Sequence, residues 1–335
     1  MARNKRPSDA ALAQLRLTGD ANREKAFAAQ YETAMALETP LRKGVLTGNT
    51  LGNIYEPMTI EPGANTEFPL DMLPPGLENE HVAYTNPGHG RIPEATVESD
   101  FVTIPTYGIS SSIDYLLRYA RDARWDVQSR AMEIMQAGFV RKLNDDGWHT
   151  LLAAGVDRGI LVYDGDATVG QFTKRLVSTM QNQMRRASGG NTASTGRGGM
   201  TDLYVSPEAL EDIRNWGLDQ IDEVTRREIY NAPDGGAPIT RIFGVNIHDL
   251  DEFGEGQVYQ NFFLDGLGGA IEASDLELVV GIDQSSTDSF VMPIKEPIQV
   301  FADPSLHRQQ RVGYYGWGEF GFGVLDNRRV ILGSF

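Results

Sequence analysis

The longest helical pattern in the chain lies between residues 125 and 154. Large apolar residues recur there at intervals of three and four positions: Trp125, Met132, Met135, Phe139, Leu143 and Leu151 or Leu152. This spacing predicts one long helix with a single apolar face. Gly138 and Gly147 lie inside the pattern and each cost about 1 kcal/mol relative to alanine. We therefore expect a bend or a break near Gly147.

The following half of the chain alternates helical and strand-like patterns. Apolar residues at helical spacing predict a second helix over residues 168–186: Phe172, Leu176, Val177, Met180 and Met184. The run 202–206 ends at Ser206, and Pro207 follows it, which is typical of a strand leading into a capped helix. Strand-like runs separated by turn residues cover residues 159–165, 239–250, 258–266, 276–282 and 288–302. Together they indicate an α/β or α+β unit with a mixed sheet.

The last 25 residues interleave aromatic residues with glycines. They predict two closing strands, 312–326 and 328–335, joined by a tight turn at Asp326 and Asn327. Glycine weakens a strand interior, so the glycines here indicate bulges, strong twist or close approach of another group.

The first fifty residues have a much thinner apolar pattern. Their apolar residues are mostly alanines, and the larger ones are spaced loosely as on one helical stripe: Leu12, Leu15, Phe27, Tyr31 and Met35. Eight basic residues stand against five acidic ones in this segment. Because such a helix has little to bury by itself, it is either a solvated tail or an arm that folds onto a neighbouring protein.

Residues 56–105 form a segment with few large hydrophobic residues. Short β-type runs at 68–70, 81–84 and 96–104 alternate there with Pro, Gly and Asn. Connections within a compact domain are usually about 4–6 residues long. We therefore predict a projecting hairpin or a binding loop rather than core strands.

Composition narrows the function classes. The 335 residues carry 46 acidic and 30 basic side chains, a formal charge of −16, which argues against a surface that binds phosphate broadly. The absence of cysteine removes disulfides, thiolate metal sites and cysteine nucleophiles. No apolar run approaches the roughly 20 residues of a membrane span, and no secretory signal pattern follows the basic start.

Four groups of residues could carry chemistry, and each has a simpler explanation. Asp145, Asp146 and His149 could bind a divalent metal, but a solvated helix face explains them better. Asp164 and Asp166 lack the later ligands of a calcium loop and indicate a turn. The glycine-rich run 188–200 lacks the Lys and Ser/Thr of a phosphate loop. The last group could mimic a hydrolase site, although Ser206 is better explained as a helix cap: Ser206, His248, Asp249, Asp251 and Glu252.

The order of these segments resembles the major capsid protein of tailed bacteriophages, with the Hong Kong 97-type fold. The closest likeness lies in DLYVSPEALEDIRN, in RIFGVNIHDLDEFGEGQVYQNFF and in the stretch from DSFVMPIKEPIQVFA to the end. The resemblance implies an α+β fold with an N-terminal arm, an extended E-loop β-hairpin, a P-domain with a long spine helix, and an A-domain with a mixed sheet. Its boundaries here would be 1–54 for the arm, 55–106 for the E-loop, 107–199 for the P-domain with the spine helix at 125–154, 200–300 for the A-domain, and 301–335 for strands that return to the P-domain.

The resemblance also implies which residues matter. It places inter-subunit contacts on the arm and the E-loop, for which we select Arg3, Lys5, Arg6, Phe68, Tyr84 and Arg91. It places Trp125, Phe139, Leu143, Trp317 and Phe320 in the P-domain core. Some members of the family cross-link an E-loop lysine to an asparagine of a neighbour, but no lysine lies between Glu56 and Pro105 here, so we expect no such bond.

The implied function is that of a virion protein without enzymatic activity, cofactor or metal. The subunit would assemble in the host cytoplasm as hexamers and pentamers of an icosahedral shell around double-stranded DNA, without contact to a membrane. The resemblance implies a portal and, because only a short arm precedes the E-loop, a separate scaffolding protein; it allows a decoration or cement protein. The alternatives are another virion protein of the tail or baseplate, which would usually be shorter and dominated by sheet, and a hydrolase with an unrecognised metal site.

Overall fold

A computed structural model describes residues 9–20, 22–48, 50–61, 63–70, 100–122, 127–187, 199–216, 241–266, 277–285 and 289–335. The helices are α1 (Asp9–Thr18), α2 (Arg23–Gly48), α3 (Leu117–Asp122), α4 (Val127–Asp157), α5 (Lys174–Ala187), α6 (Pro207–Asn215) and α7 (Val258–Gly266). The strands are β1 (Glu56–Thr59), β2 (Glu67–Leu70), β3 (Asp100–Thr103), β4 (Tyr107–Leu116), β5 (Leu161–Tyr163), β6 (Asp202–Val205), β7 (Arg241–Ile242), β8 (Val245–Asp249), β9 (Leu278–Ile282), β10 (Phe290–Asp303), β11 (Arg311–Phe320), β12 (Gly323–Val324) and β13 (Val330–Ser334).

The chain forms two compact units. The first consists of Met1–Thr66, Ile104–Gly147 and Met292–Phe322, and the second of Glu67–Thr103, Trp148–Val291 and Gly323–Phe335. Helix α4 and strand β10 contribute residues to both. Among the helices that the structure describes, none combines the length and the apolarity needed to cross a bilayer.

The first unit is built on a sheet with the strand order β1-β10-β11-β4. Strand β11 pairs antiparallel with β10 on one side and with β4 on the other, where ten consecutive residue pairs run without a bulge. The two-residue strand β12 pairs with the first residues of β10, and these four residues belong to the second unit. The part of α4 that belongs to this unit contains three buried apolar residues: Met135, Phe139 and Leu143.

Helix α4 confirms the predicted long helix, and it continues through Gly147 without a break. The reason for a glycine at this position is close packing. A Cβ atom there would lie 2.1 Å from Leu51 Cδ1, and Tyr55 donates a hydrogen bond of 2.9 Å to the Gly147 carbonyl oxygen. The glycine therefore admits a neighbouring segment rather than ending the helix.

The N-terminal helices pack within the first unit, so the prediction of a solvated tail is wrong for the described residues. Arg121 of α3 donates a 2.8 Å hydrogen bond to the Gly19 carbonyl, and Gln30 donates one of 2.9 Å to that of Thr18. The predicted stripe is only partly correct: Leu15 is buried, but Tyr31 and Met35 are 62% and 64% exposed. The buried face consists mainly of small or polar residues: Leu15, Ala26, Ala29, Gln30, Thr33, Ala34, Leu41 and Val45.

The second unit contains a six-stranded mixed sheet with the order β5-β13-β9-β6-β8-β7. The pairs β13–β5 and β6–β8 are parallel and the other pairs are antiparallel. Every residue of the central strands β9 and β13 is buried, as expected for strands covered on both faces. The predicted apolar face of the second helix is confirmed, because all five of its residues are fully buried: Phe172 just before α5, and Leu176, Val177, Met180 and Met184 on it.

Two predictions differ from the structure, and one strand was not predicted. Residues 258–266 form helix α7 rather than a strand, because Tyr259 and Phe263 are the buried aromatics and lie four residues apart. The last two strands do not form a hairpin: β11 pairs with β4 and β10, whereas β13 pairs with β5 and β9. The sequence analysis also missed β4, whose polar residues alternate with Ile109, Ile113 and Tyr115.

Strands β2 and β3 form a two-stranded antiparallel ladder at the base of the predicted E-loop. The pairing joins Glu67 to Thr103 and Leu70 to Asp100. Residues 71–99, which would form the rest of that loop, lie outside the described residues. The division into arm, E-loop, P-domain and A-domain stays a prediction.

Candidate functional site

The candidate metal ligands on α4 are occupied by protein groups. Asp146 accepts a 2.7 Å hydrogen bond from Lys142 and one of 2.8 Å from the hydroxyl of Tyr107. Burial and this carboxylate raise the pKa of Tyr107, so the phenol keeps its proton and remains a donor. Asp146 is thus a paired structural acid, with a side chain that is only 14% exposed.

His149 lies against aromatic residues of α7. Its ring centroid is 4.3 Å from that of Phe262 and 5.7 Å from that of Tyr259. These contacts give the imidazole a packing role between two helices. Within the part of the chain that the structure describes, no group of three or more His, Asp or Glu side chains is placed to hold a metal ion.

Ser206 is the N-cap of α6, as the sequence predicted. Its hydroxyl accepts a 3.2 Å hydrogen bond from the Ala209 amide and donates one of 2.6 Å to Glu277, while Pro207 occupies the first turn. Burial raises the pKa of Glu277, the hydrogen bond from Ser206 opposes this change, and neighbouring carboxylates add to the increase, so the pKa lies above that of an ordinary glutamate. The Ser206 hydroxyl therefore caps the N-terminus of α6.

His248 pairs with an acid that the sequence analysis did not consider. Its Nε2 atom lies 2.8 Å from Asp202 Oδ1, whereas Asp249, Asp251 and Glu252 had been the predicted partners. Asn246 also donates a 3.1 Å hydrogen bond to Asp202. The acid and the imidazole meet because β6 and β8 are adjacent parallel strands.

The electrostatics of this pair are those of a buried anion held by donors. Burial raises the pKa of Asp202, but hydrogen bonds from His248, Thr201 and Asn246 outweigh that effect and hold the pKa below that of an ordinary aspartate. The His248 ring stacks on Tyr204 with centroids 4.8 Å apart. Burial also raises the pKa of Tyr204, and the nearby Asp202 charge adds to the increase. The cluster ties two strands of the sheet together.

The predicted turn at Asp164 and Asp166 is confirmed. Asp164 accepts hydrogen bonds from the Asp166 amide at 3.3 Å and from the Thr173 hydroxyl at 2.7 Å. Arg175 forms ion pairs with both carboxylates. The two acids therefore stabilise the entry into α5, which begins six residues later than the predicted helix.

The structure shows burial for only some of the residues that were predicted to lie in the P-domain core. Phe139, Leu143 and Phe320 are buried, and Trp125 lies outside the described residues. The prediction that Trp317 belongs to the core is wrong, because this side chain is 46% exposed. Side chains alternate along β11, and Trp317 lies on the face opposite to the buried Tyr314 and Phe320.

Trp317 belongs to an outward aromatic cluster with Phe301 and Tyr315. The Trp317 ring centroid is 5.2 Å from that of Phe301 and 6.1 Å from that of Tyr315, and the last two rings stack at 5.5 Å. Strand pairing sets this arrangement, because Tyr315 is opposite Phe301 in the ladder. The sequence analysis did not predict this exposed aromatic cluster.

The residues selected for contacts between subunits fall largely outside the described part. Phe68 lies in β2 opposite Val102 and is half-buried. The others lie outside the described residues: Arg3, Lys5, Arg6, Tyr84 and Arg91. Their role in contacts between subunits stays a prediction.

The fold is similar to those of solved bacteriophage structures. A chain of Microbacterium phage Oxtober96 superposes with a TM-score of 0.57 at 11% identity, covering 86% of this chain and 90% of that chain. The cyanophage Pam1 capsid asymmetric unit gives 0.54 at 14% identity, covering 82% and 85%. The capsid structure of cyanophage P-SCSP1u gives 0.53 at 13% identity, covering 85% and 87%. No protein-family model and no curated protein matches the chain.

At identities this low, the superpositions establish the fold alone. Their coverage shows that the shared fold extends over most of the chain. The chain is an α+β protein with the fold of tailed-phage capsid proteins. This confirms, at the level of the fold, the predicted resemblance to the Hong Kong 97 type.

Proposed function

We propose that this chain is a major capsid protein, a structural subunit that assembles as hexamers and pentamers into an icosahedral shell around double-stranded DNA. The observation that carries the proposal is the superposition on the Pam1 capsid chain over 82% of this chain and 85% of that one. Similar coverage of both chains means that the likeness involves the whole architecture rather than one common motif.

The surface of the described residues supports an assembling subunit. Trp317, Tyr31 and Met35 are large apolar side chains with about half or more of their surface exposed. Exposed apolar groups on a soluble protein often mark contact surfaces, and obligate interfaces commonly bury about 2,000 Å² or more. We infer that these residues lie at contacts between copies.

The charge of the chain supports an inner surface that encloses DNA without binding it tightly. A formal charge of −16 leaves little capacity for broad phosphate neutralisation, which would resist packing and release of the genome. The subunit would accordingly reside in the virion, after assembly in the host cytoplasm. A portal, a scaffolding protein and a decoration protein are further expected partners.

The shell would be held by non-covalent contacts through the E-loop. Because no lysine lies between Glu56 and Pro105, a lysine–asparagine bond cannot start from that segment. Assembled particles boiled in detergent should give a single band at 36.9 kDa on a denaturing gel. A ladder of covalent multimers would contradict this part of the proposal.

Electron microscopy of the purified full-length chain tests the main proposal. We expect closed particles of uniform diameter in which averaged images show rings of five and six subunits. Ser178→Ala, a change at an exposed position of α5, serves as a matched control that should assemble normally. Discrete small oligomers at high concentration would refute the proposal, and open tubes would favour a tail component.

A further inference from the structure

Strand β4 forms one edge of the five-stranded sheet. In the part of the chain that the structure describes, β11 is the only strand paired with it. The strand is ten residues long and regular, whereas every other described edge strand has four residues or fewer. An edge strand presents a row of backbone donors and acceptors that can pair with another chain.

The hydrogen-bond pattern identifies the residues of β4 that face the open edge. The Leu117 amide donates a 2.8 Å hydrogen bond to the Gln310 carbonyl, and this pair continues the β4–β11 register. In an antiparallel ladder such pairs recur at every second residue. Odd-numbered residues of β4 therefore bond to β11, and the even-numbered ones direct N–H and C=O to the edge: Gly108, Ser110, Ser112, Asp114 and Leu116.

This edge lacks the usual features that prevent pairing. Natural edge strands are commonly protected by proline, lysine or a bulge. Strand β1, at the other end of the same sheet, contains Pro57, but β4 has no proline, no lysine and no bulge. Its one charge, Asp114, is 3.0 Å from Arg311 of β11. Gly108, Ser110 and Ser112 are all exposed.

We propose that β4 pairs antiparallel with β4 of a second copy of this chain, about a two-fold axis. Length favours this partner, because every other edge strand among the described residues is too short to pair along most of β4. Symmetry favours it too: when Ser110 is opposite Ser112, Asp114 is opposite Gly108, so no like charges face each other. This register would form about eight inter-strand hydrogen bonds. The pairing deepens the proposed shell function and rests on it, since it supplies one contact between copies.

Cysteine cross-linking tests the pairing in a chain that has no native cysteine. Opposed residues of an antiparallel pair lie about 4.5–5.5 Å apart between Cα atoms, within the range that a disulfide spans. In the full-length variant with Ser110→Cys and Ser112→Cys, a cysteine faces a cysteine in each symmetric register centred on residues 110 to 112. We expect at least about tenfold more disulfide dimer than for Ser178→Cys, an exposed position on α5.

A second pair of variants separates the backbone from the side chains. Ser110→Pro with Ser112→Pro removes two edge N–H groups that β11 does not use, whereas the two alanine changes keep them. The proline variant should lose self-association in sedimentation experiments with an unchanged melting temperature, and the alanine variant should associate as the wild type does.

Two outcomes would overturn the pairing: dimer formation by the edge cysteines no greater than that of Ser178→Cys, or proline variants that associate normally. Closed shells in micrographs without edge cross-links would refute this contact alone. Edge cross-links without shells or capsomer rings would refute the proposed function and leave the contact intact.

Discussion

Phe139→Ala is the most direct test of core packing in the first unit, because Phe139 is buried. The ring is completely buried on α4, and it lies against β11 at a glycine: a Cβ atom on Gly316 would be 3.7 Å from the ring. Gly316 itself is held against β10, since the same Cβ would lie 2.9 Å from the Gln299 carbonyl oxygen. The sheet therefore has little freedom to collapse into a cavity left by Phe139→Ala.

The expected cost follows from that rigidity. Replacing a buried phenylalanine by alanine usually lowers the free energy of unfolding by about 3–5 kcal/mol, with the larger values where the site cannot relax. For a folding unit of about 150–250 residues, 1 kcal/mol changes the melting temperature by about 2–4 °C. Phe139→Ala should therefore lower the melting temperature of the first unit by about 6–20 °C.

Trp317→Ala is the matched control, because it removes a larger aromatic ring from the opposite face of the same sheet. Trp317 is half-exposed, and its contacts with Phe301 and Tyr315 are worth about 0.5–1.5 kcal/mol each. We expect a loss of about 1–3 kcal/mol and a well-folded subunit that assembles poorly.

Thermal unfolding followed by circular dichroism measures the first effect, and particle yield in electron micrographs measures the second. Phe139→Ala should shift the unfolding midpoint, whereas Trp317→Ala should mainly reduce the yield of particles. If Trp317→Ala destabilised the subunit as much as Phe139→Ala does, the assignment of the two faces of β11 would be wrong.

Three further predictions concern close packing and pH. Gly321→Ala should cost about 1–3 kcal/mol in unfolding experiments, because its Cβ would lie 2.7 Å from the Pro105 carbonyl oxygen; Gly108→Ala, with no atom within 4 Å, is the control, and equal stabilities would contradict the close approach. Asp202→Asn should be less stable than the wild type at neutral pH, and the difference should shrink as pH falls from the ordinary aspartate range through the lower pKa of the folded state, since folding lowers the pKa of Asp202; a difference independent of pH would contradict the lowered pKa. Glu277→Gln should be more stable than the wild type at neutral pH and not in acid, because the fold raises the pKa of Glu277; a less stable variant at neutral pH would refute this.

Much of the fold could be predicted where large apolar residues mark one side of a helix or a buried strand. Helices α4 and α5 and the strand preceding α6 follow such patterns, and the Ser206 cap is a local signal that needs no knowledge of tertiary contacts. These elements bury their large residues in their own unit, so the period of the sequence reports directly on the core.

The N-terminal helices could not be predicted in this way because their buried face is made of small residues. Ala26 and Ala34 are buried while Tyr31 and Met35 are exposed, which reverses the usual order. Small residues let helices approach closely, so the burial is real although the apolar area is modest. The predicted stripe therefore included two outward residues, Tyr31 and Met35, beside the buried Leu15.

The polar site could not be predicted because it depends on strand order. Asp202 and His248 are 46 residues apart and meet through the parallel pairing of β6 with β8. The predicted hairpin at the end of the chain failed for a related reason. Asp326 accepts a 3.0 Å hydrogen bond from the Arg328 amide and so starts a turn, but the strands on either side of that turn pair with distant partners in two different sheets.

The glycines and the aromatic residues of strand β11 are distributed differently over its two faces. On the inner face, Gly316 leaves room for the Phe139 ring, and a Cβ on Gly318 would lie 2.5 Å from the ring of Phe320. On the outer face, Tyr315 and Trp317 occupy the positions on either side of Gly316. The inner face thus receives aromatic rings from a helix and from its own end, while the outer face displays them. A subunit whose surfaces must contact other copies would require this division, because rings used inside the fold are not available for contacts outside it.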